Sequence, residues 1–220
     1  MERPKNISDP KTAQSVRIIL IFHLVGLVGL SLPISRLLFL QLVPFHLLLM
    51  MAILIINHQK LNIKFALFFA IVFITGFMAE WFGVHTGLLF GNYQYGKTLG
   101  VKADGIPLIM GVNWFLLIYA AGTALQQIPI KQMWLRVLIG ATGLVALDVL
   151  IEPIAIKFDY WQWANPIIPV TNYACWFGIS LLLLLVFEAF RFKKQNIVGA
   201  VLLISQFLFF LGLLADMVGN

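Results

Sequence analysis

Three carboxyls, Glu80, Asp148 and Glu152, lie inside or at the edge of long apolar runs in a chain that otherwise carries few acids. Asp148 and Glu152 are spaced i, i+4, which sets them on one helical face about one turn apart, with Pro153 expected to end or kink the helix there. Asp148 gives the stronger signal, because an acid within hydrocarbon costs roughly 2.5 to 3.5 kcal/mol on insertion scales unless it is paired or hydrated. A structural role, satisfying amides of neighbouring helices, is the bland alternative. Hydrocarbon disfavours the charged form of a carboxyl, so a buried acid can stay protonated at neutral pH and act on a weak base. An alkene is such a base. Protonating a trisubstituted isoprenoid double bond gives a tertiary carbocation, which Trp and Tyr faces stabilise by about 0.5 to 2 kcal/mol each. A second carboxylate or an amide can then hold the water that captures the cation.

The elements that must position these groups follow from hydropathy. Of the 220 residues 61% are hydrophobic and 11% are charged, more apolar surface than a soluble core needs. Seven runs are long enough to cross a bilayer: Val16 to Leu32, Leu37 to Ile56, Ile63 to Ala79, Ile106 to Leu125, Met133 to Ile151, Tyr173 to Phe190 and Ile197 to Met217. Unpaired backbone groups are not tolerated in lipid, so the runs predict helices and the chain reads as an all-α, polytopic membrane bundle, one integral domain over residues 1–220. Nothing in the leader reads as a cleavable signal peptide.

Helix polarity brings the chemistry together. The third and fifth runs end, on one side, at Glu80 and at Asp148 and Glu152, where the fourth and sixth begin with Asn113 and Trp114 and with Asn172 and Trp176. Asn172 and Trp176 are i, i+4 and share a face, and Asn113 is expected about 10 Å below a helix start at Ile106. Between the runs lie Glu80 to Gly105 and Glu152 to Asn172. The first is dense in glycine and aromatics and reads as packed rather than floppy, its Tyr93 and Tyr95 either site residues or members of an interfacial aromatic belt.

Eleven of the fifteen Lys and Arg (Arg3, Lys5, Lys11, Arg17, Lys60, Lys64, Lys131, Arg136, Arg191, Lys193, Lys194) fall in segments on the side of the amino terminus, against Arg36, Lys97, Lys102 and Lys157 on the other. This predicts a cytoplasmic (inner) membrane protein with its amino terminus inside and its carboxyl terminus outside. The net charge of +6 needs no nucleic-acid partner. Cys175 is the single cysteine and reads as a buried thiol. Several classes fall away. A retinal-type receptor needs a lysine in the last helix, and Ile197 to Met217 has none. His23, His46, His58 and His85 stand on separate segments and give no metal-site pattern, nor is there an Asp-rich diphosphate motif. An intramembrane acid pair also suits a proton-coupled transporter or lipid-binding protein, though no inverted repeat accompanies it here.

The block Glu80-Trp-Phe-Gly-Val-His-Thr-Gly-Leu-Leu-Phe-Gly-Asn-Tyr-Gln-Tyr95, followed by Leu99-Gly100, Ile106-Pro107 and Asn113-Trp114, resembles a membrane-integral carotenoid biosynthesis family. That family includes CruF-type carotenoid 1,2-hydratases and bisanhydrobacterioruberin hydratase. Asp148, Glu152-Pro153, Trp161-Gln162-Trp163, Pro169, Asn172 and Trp176 resemble its second half, so the likeness runs from about Phe77 to Gly178. It implies cofactor-independent and metal-free addition of water across the terminal C1–C2 double bond of an acyclic end group in a carotenoid of lycopene or γ-carotene type. Other carotenoid biosynthesis enzymes are the implied partners, and a membrane-integral cyclase is the nearest alternative activity. The family's acidic and aromatic positions carry over to Glu80, Asp148, Glu152, Tyr93, Tyr95, Trp114, Asn172 and Trp176, with Asn113, His85, Thr86 and Trp161 as further substrate-binding candidates. Asp148, deepest in its run, is the expected acid; Glu80 and Glu152 are expected nearer the interface, holding or deprotonating water.

Overall fold

The structure is a computed structural model that describes residues 9–165 and 167–219. Arg3 and Lys5 of the basic leader lie outside the described residues. Seven α-helices follow one another: α1 Pro10–Ser31, α2 Pro33–Asn57, α3 Ile63–Thr86, α4 Ile109–Leu125, α5 Met133–Lys157, α6 Val170–Ala189 and α7 Val198–Gly219. All but α4 are long and apolar enough to cross a membrane, and the chain is an integral membrane protein. Strands β1 Tyr93–Tyr95, β2 Lys102–Ala103 and β3 Ile106–Pro107 sit between α3 and α4, and β4 Trp161–Trp163 between α5 and α6.

Helix ends follow local chemistry. Asp9 caps α1 by accepting from the Thr12 amide at 3.3 Å, and Asn62 caps α3 by accepting from the Phe65 amide at 3.2 Å. Leu32 alone separates α1 from α2, with Pro33 at the first helical position. Arg36 holds that corner, donating at 2.9 Å to the Leu30 and Ser31 carbonyls that α1 leaves open.

Helix α4 has 17 residues, about 25 Å at 1.5 Å per residue, which is short for a bilayer. Its position removes the difficulty: it packs against α2, α3, α5, α6 and α7, and nearly every residue on it is buried. A helix sheathed by protein need not match lipid thickness. It also brings Trp114 to the middle of the bundle. At Gly76 on α3 a Cβ would stand 2.4 Å from the Trp114 ring, so the close approach of α3 and α4 requires glycine.

The structure moves four boundaries. Helix α3 runs through Glu80 to Thr86 and stops at Gly87, which adopts a left-handed φ of 67° that glycine accepts without strain. Ile106–Pro107 does not open α4; it pairs with Lys102–Ala103 as a small hairpin, and the helix begins at Ile109. Pro153 does not end α5, which continues to Lys157 as membrane helices with an internal proline often do. Val170 opens α6, so Asn172 lies in its first turn rather than before it.

Candidate active site

The site is built around the antiparallel pairing of β1 with β4, which sets Tyr93 opposite Trp163, Gln94 opposite Gln162 and Tyr95 opposite Trp161. Alternate side chains of a strand share a face, so two phenols and two indoles point the same way. The phenols reach α3: Tyr93 and Tyr95 each donate to Glu80 Oε2 at 2.6 Å, while the Trp114 indole donates to Glu80 Oε1 at 2.9 Å. The indoles reach α5: Trp161 and Trp163 donate to Glu152 Oε2 at 3.1 and 2.8 Å. Burial, and then the neighbouring Glu80 carboxylate, push both tyrosine hydroxyls above their ordinary value, which keeps them as O–H donors.

From α6, Asn172 Nδ2 donates to both members of the second acid pair, at 2.8 Å to Asp148 Oδ2 and 3.2 Å to Glu152 Oε1. Glu80 and Glu152 thus accept three hydrogen bonds each. Asp148 accepts one, and its Oδ1 is buried with no partner in the protein. All three acids are buried within the protein, Glu80 at 4%, Asp148 at 0% and Glu152 at 1% exposure.

Two cavities meet at this cluster. A polar chamber of about 20 Å³, room for roughly one water, is lined by Glu80, Glu152, Asn172, Tyr93 and Tyr95 among others. An apolar cavity of about 420 Å³ runs between α1, α2, α4 and α7. Met110, Trp161 and Trp176 line both and form the wall between them. Behind the wall Trp176 stacks on Trp114 with ring centroids 4.4 Å apart. Phe90, also on the chamber, is buried and holds a left-handed φ of 58°, a conformation that costs a non-glycine residue about 1–3 kcal/mol.

Glu80, Glu152, Tyr93, Tyr95, Asn172, Trp161 and Trp176 converge on the chamber, with Trp114 one layer behind. The aromatic-belt alternative for the tyrosines gives way to their bonds to Glu80. Asp148 lines neither cavity, and Asn113 lines the large one. His85 and Thr86 also line neither. They sit exposed on the last turn of α3, His85 stacked on Trp81 and 3.3 Å from Asp104, Thr86 donating to the Phe82 carbonyl at 2.6 Å. Their neighbourhood to Glu80 in sequence does not survive the helix, because five or six residues on, the face has turned. Trp163, Phe90 and Met110 escaped the sequence reading. Two matching triplets carry the missed signal: Tyr93-Gln94-Tyr95 and Trp161-Gln162-Trp163 both alternate aromatic, glutamine, aromatic, the period of a strand.

Fold and site together define an integral membrane helical bundle in which an acid-lined chamber adjoins a long apolar cavity. The chain belongs to the carotenoid biosynthesis protein family, whose model matches residues 41–219. Membership gives it a role in carotenoid biosynthesis with a carotenoid-related substrate in the membrane, and is consistent with an enzyme. The match extends past both ends of the Phe77 to Gly178 resemblance, taking in most of α2 and all of α7, two of the helices around the apolar cavity. No curated protein and no solved structure matches the chain.

Proposed function

We propose that the protein is a carotenoid hydratase that adds water to the terminal C1–C2 double bond of an acyclic carotenoid. The observation that carries this reading is the wall shared by the two cavities: a space for an apolar chain abuts a water-sized space flanked by two carboxyls. A cyclase would use the same acids but needs no water beside them.

In this reading the end group of the polyene lies in the apolar cavity against Trp161 and Trp176, with Asn113 alongside, and its double bond meets the chamber at the shared wall while the water occupies the chamber. The proton comes from the Asp148–Glu152 pair. Two carboxylates that share one amide donor cannot both stay ionised in hydrocarbon, so the pair holds one proton between them. Glu152 faces the chamber and delivers it, with Asp148 behind as its partner. This shifts the delivering group from Asp148, the acid expected from depth in the run, because Asp148 lines neither cavity.

Protonation at C2 leaves the positive charge on tertiary C1, between the indole faces and the Glu80 carboxylate. The chamber water attacks C1 and gives its proton to Glu80, the other carboxyl on the chamber. One C–H and one C–O bond form, the π bond is spent, and return of the proton from Glu80 to the acid pair restores the starting state. The substrate gains one water.

Expression in a host that accumulates lycopene or γ-carotene, followed by mass analysis, tests the reading. A product heavier by one water is expected. An isomeric product of unchanged mass establishes a cyclase instead, and no product at all removes the enzymatic reading.

A further inference from the structure

The apolar cavity contains polar groups that the hydration chemistry does not use. His23 of α1, His46 of α2 and Gln206 of α7 all line it, among phenylalanine, leucine and valine side chains. The sequence leaves the histidines on separate helices; the fold brings their rings to 4.8 Å in an edge-to-face contact. Phe209 packs on His23 with centroids 5.8 Å apart, and Gln206 is one turn before Phe209 on α7, so the amide belongs to the helix face that meets the histidine pair.

The free valences of these groups are specific. His23 Nδ1 lies 2.8 Å from the Ile19 carbonyl, which can only accept, so this nitrogen carries the proton and a neutral ring keeps Nε2 as an acceptor. Gln206 is 6% exposed, and its Oε1 has no partner in the protein. A buried amide without a partner costs free energy, and one that lines a ligand cavity regains it when the ligand supplies the missing group. An all-hydrocarbon chain cannot do so.

We infer that His23, His46 and Gln206 form a subsite for a hydroxyl group carried by an acyclic isoprenoid substrate some distance from its reacting double bond. Position sets the distance. Trp176 is six residues, roughly 9 Å, from the start of α6, whereas Gln206 is thirteen residues, roughly 20 Å, from the end of α7 on the same side of the bundle. His23 is eight residues, roughly 12 Å, from the end of α1 and His46 thirteen residues from the start of α2, so Gln206 and His46 lie roughly 10 Å deeper than Trp176, with His23 between. That is about the reach of two further isoprene units beyond the terminal one. The inference rests on the proposed seating of the end group at the chamber.

Farnesol, whose hydroxyl lies at this remove from its terminal double bond, tests it against the C15 hydrocarbon lacking only that hydroxyl. Binding is read by thermal shift of the purified protein in phosphatidylcholine nanodiscs, at matched mole fractions of ligand in the lipid. The wild-type protein should prefer farnesol about tenfold. In Gln206→Leu, which replaces the orphaned amide by an apolar side chain of similar size, the preference should fall towards one, and in His46→Phe it should fall in part. Geraniol, shorter by one isoprene unit, should show little preference over its own hydrocarbon. An unchanged preference in both variants, or none in the wild type, overturns the subsite. Because the readout is binding, a preference that persists in a protein without hydration activity overturns the proposed reaction and leaves the subsite standing, and active protein without preference does the reverse.

Discussion

The two ends of the bundle both gather polar side chains and use them in opposite ways. At the end where α2 meets α3, α4 meets α5 and α6 meets α7, amides tie loop to loop. Gln195 Oε1 accepts from the Gln59 amide at 2.8 Å, the Gln195 amide donates to Gln126 Oε1 at 2.9 Å, and Gln127 Nε2 donates to the Gln195 carbonyl at 3.1 Å. Asn196 Nδ2 bonds Asn57 Oδ1 at 3.1 Å, and Arg136 pairs with Glu188 at 2.6 Å. There amide donors and acceptors close on one another. At the other end donors converge on acids, the acids surround a space, and one carboxyl oxygen has no partner. A matched network resists change, whereas a network of acceptors around a cavity is equipped to take and release protons.

The contrast can be broken most directly at the acids. Glu152→Gln, Asp148→Asn and Glu80→Gln keep shape and hydrogen bonding while removing the proton chemistry, and each should lower turnover by about 10²- to 10⁴-fold in correctly inserted protein. Product analysis beside a thermal melt separates the outcomes. Variants that melt early yet convert at the wild-type rate per folded molecule would make the acid end as structural as the amide end. If Asp148→Asn alone keeps full activity, Glu152 acts without its partner.

A smaller loss is expected at the donors. Tyr93→Phe, Tyr95→Phe or Trp114→Phe each deletes one hydrogen bond to Glu80, and turnover should fall by about 10- to 100-fold, the rate equivalent of roughly 1.5 to 3 kcal/mol. Initial rates on one acyclic substrate measure it. Equal rates in all three would mean that Glu80 does not depend on its donors and has no role in capturing the water.

The smallest effect on activity belongs to the amide end. Gln195→Ala removes the two bonds that its side chain makes, to the Gln59 amide and the Lys193 carbonyl, and should lower stability by about 1 to 3 kcal/mol in a detergent melt, with turnover per folded molecule unchanged. A change in product or rate there would couple the two ends and sharpen the division into something finer than structure against chemistry.

Long apolar runs made the seven helices legible before any coordinates, and alternating helix direction was enough to bring Glu80, Asp148, Glu152, Trp114 and Asn172 to one end. The ribbon was not legible in the same way. Three-residue strands give too little alternation to stand out, and their pairing across 70 residues, Tyr93 to Trp163, is a tertiary fact. Helix ends went astray where competing signals balanced. Pro153 breaks a helix in water but is tolerated among packed helices, and the Glu80 to Thr86 turn is rich in residues that also suit a loop. The convergence of His23 and His46 depends on the packing of α1 on α2, which no spacing within either run encodes.

The partners of the three acids also have an order along the chain. Glu80 is bonded by tyrosines 13 and 15 residues later, and Glu152 by tryptophans 9 and 11 residues later, so each is served by a segment that leaves the ribosome almost immediately after it. Asp148 waits longest for a first donor, an amide 24 residues on that arrives only with the next helix. A fifth helix that entered the bilayer alone would carry this acid unattended. With the sole protein donor to Asp148 on the return stroke, the roughly 2.5 to 3.5 kcal/mol that an unpaired acid costs favours entry of α5 and α6 as a hairpin over α5 alone.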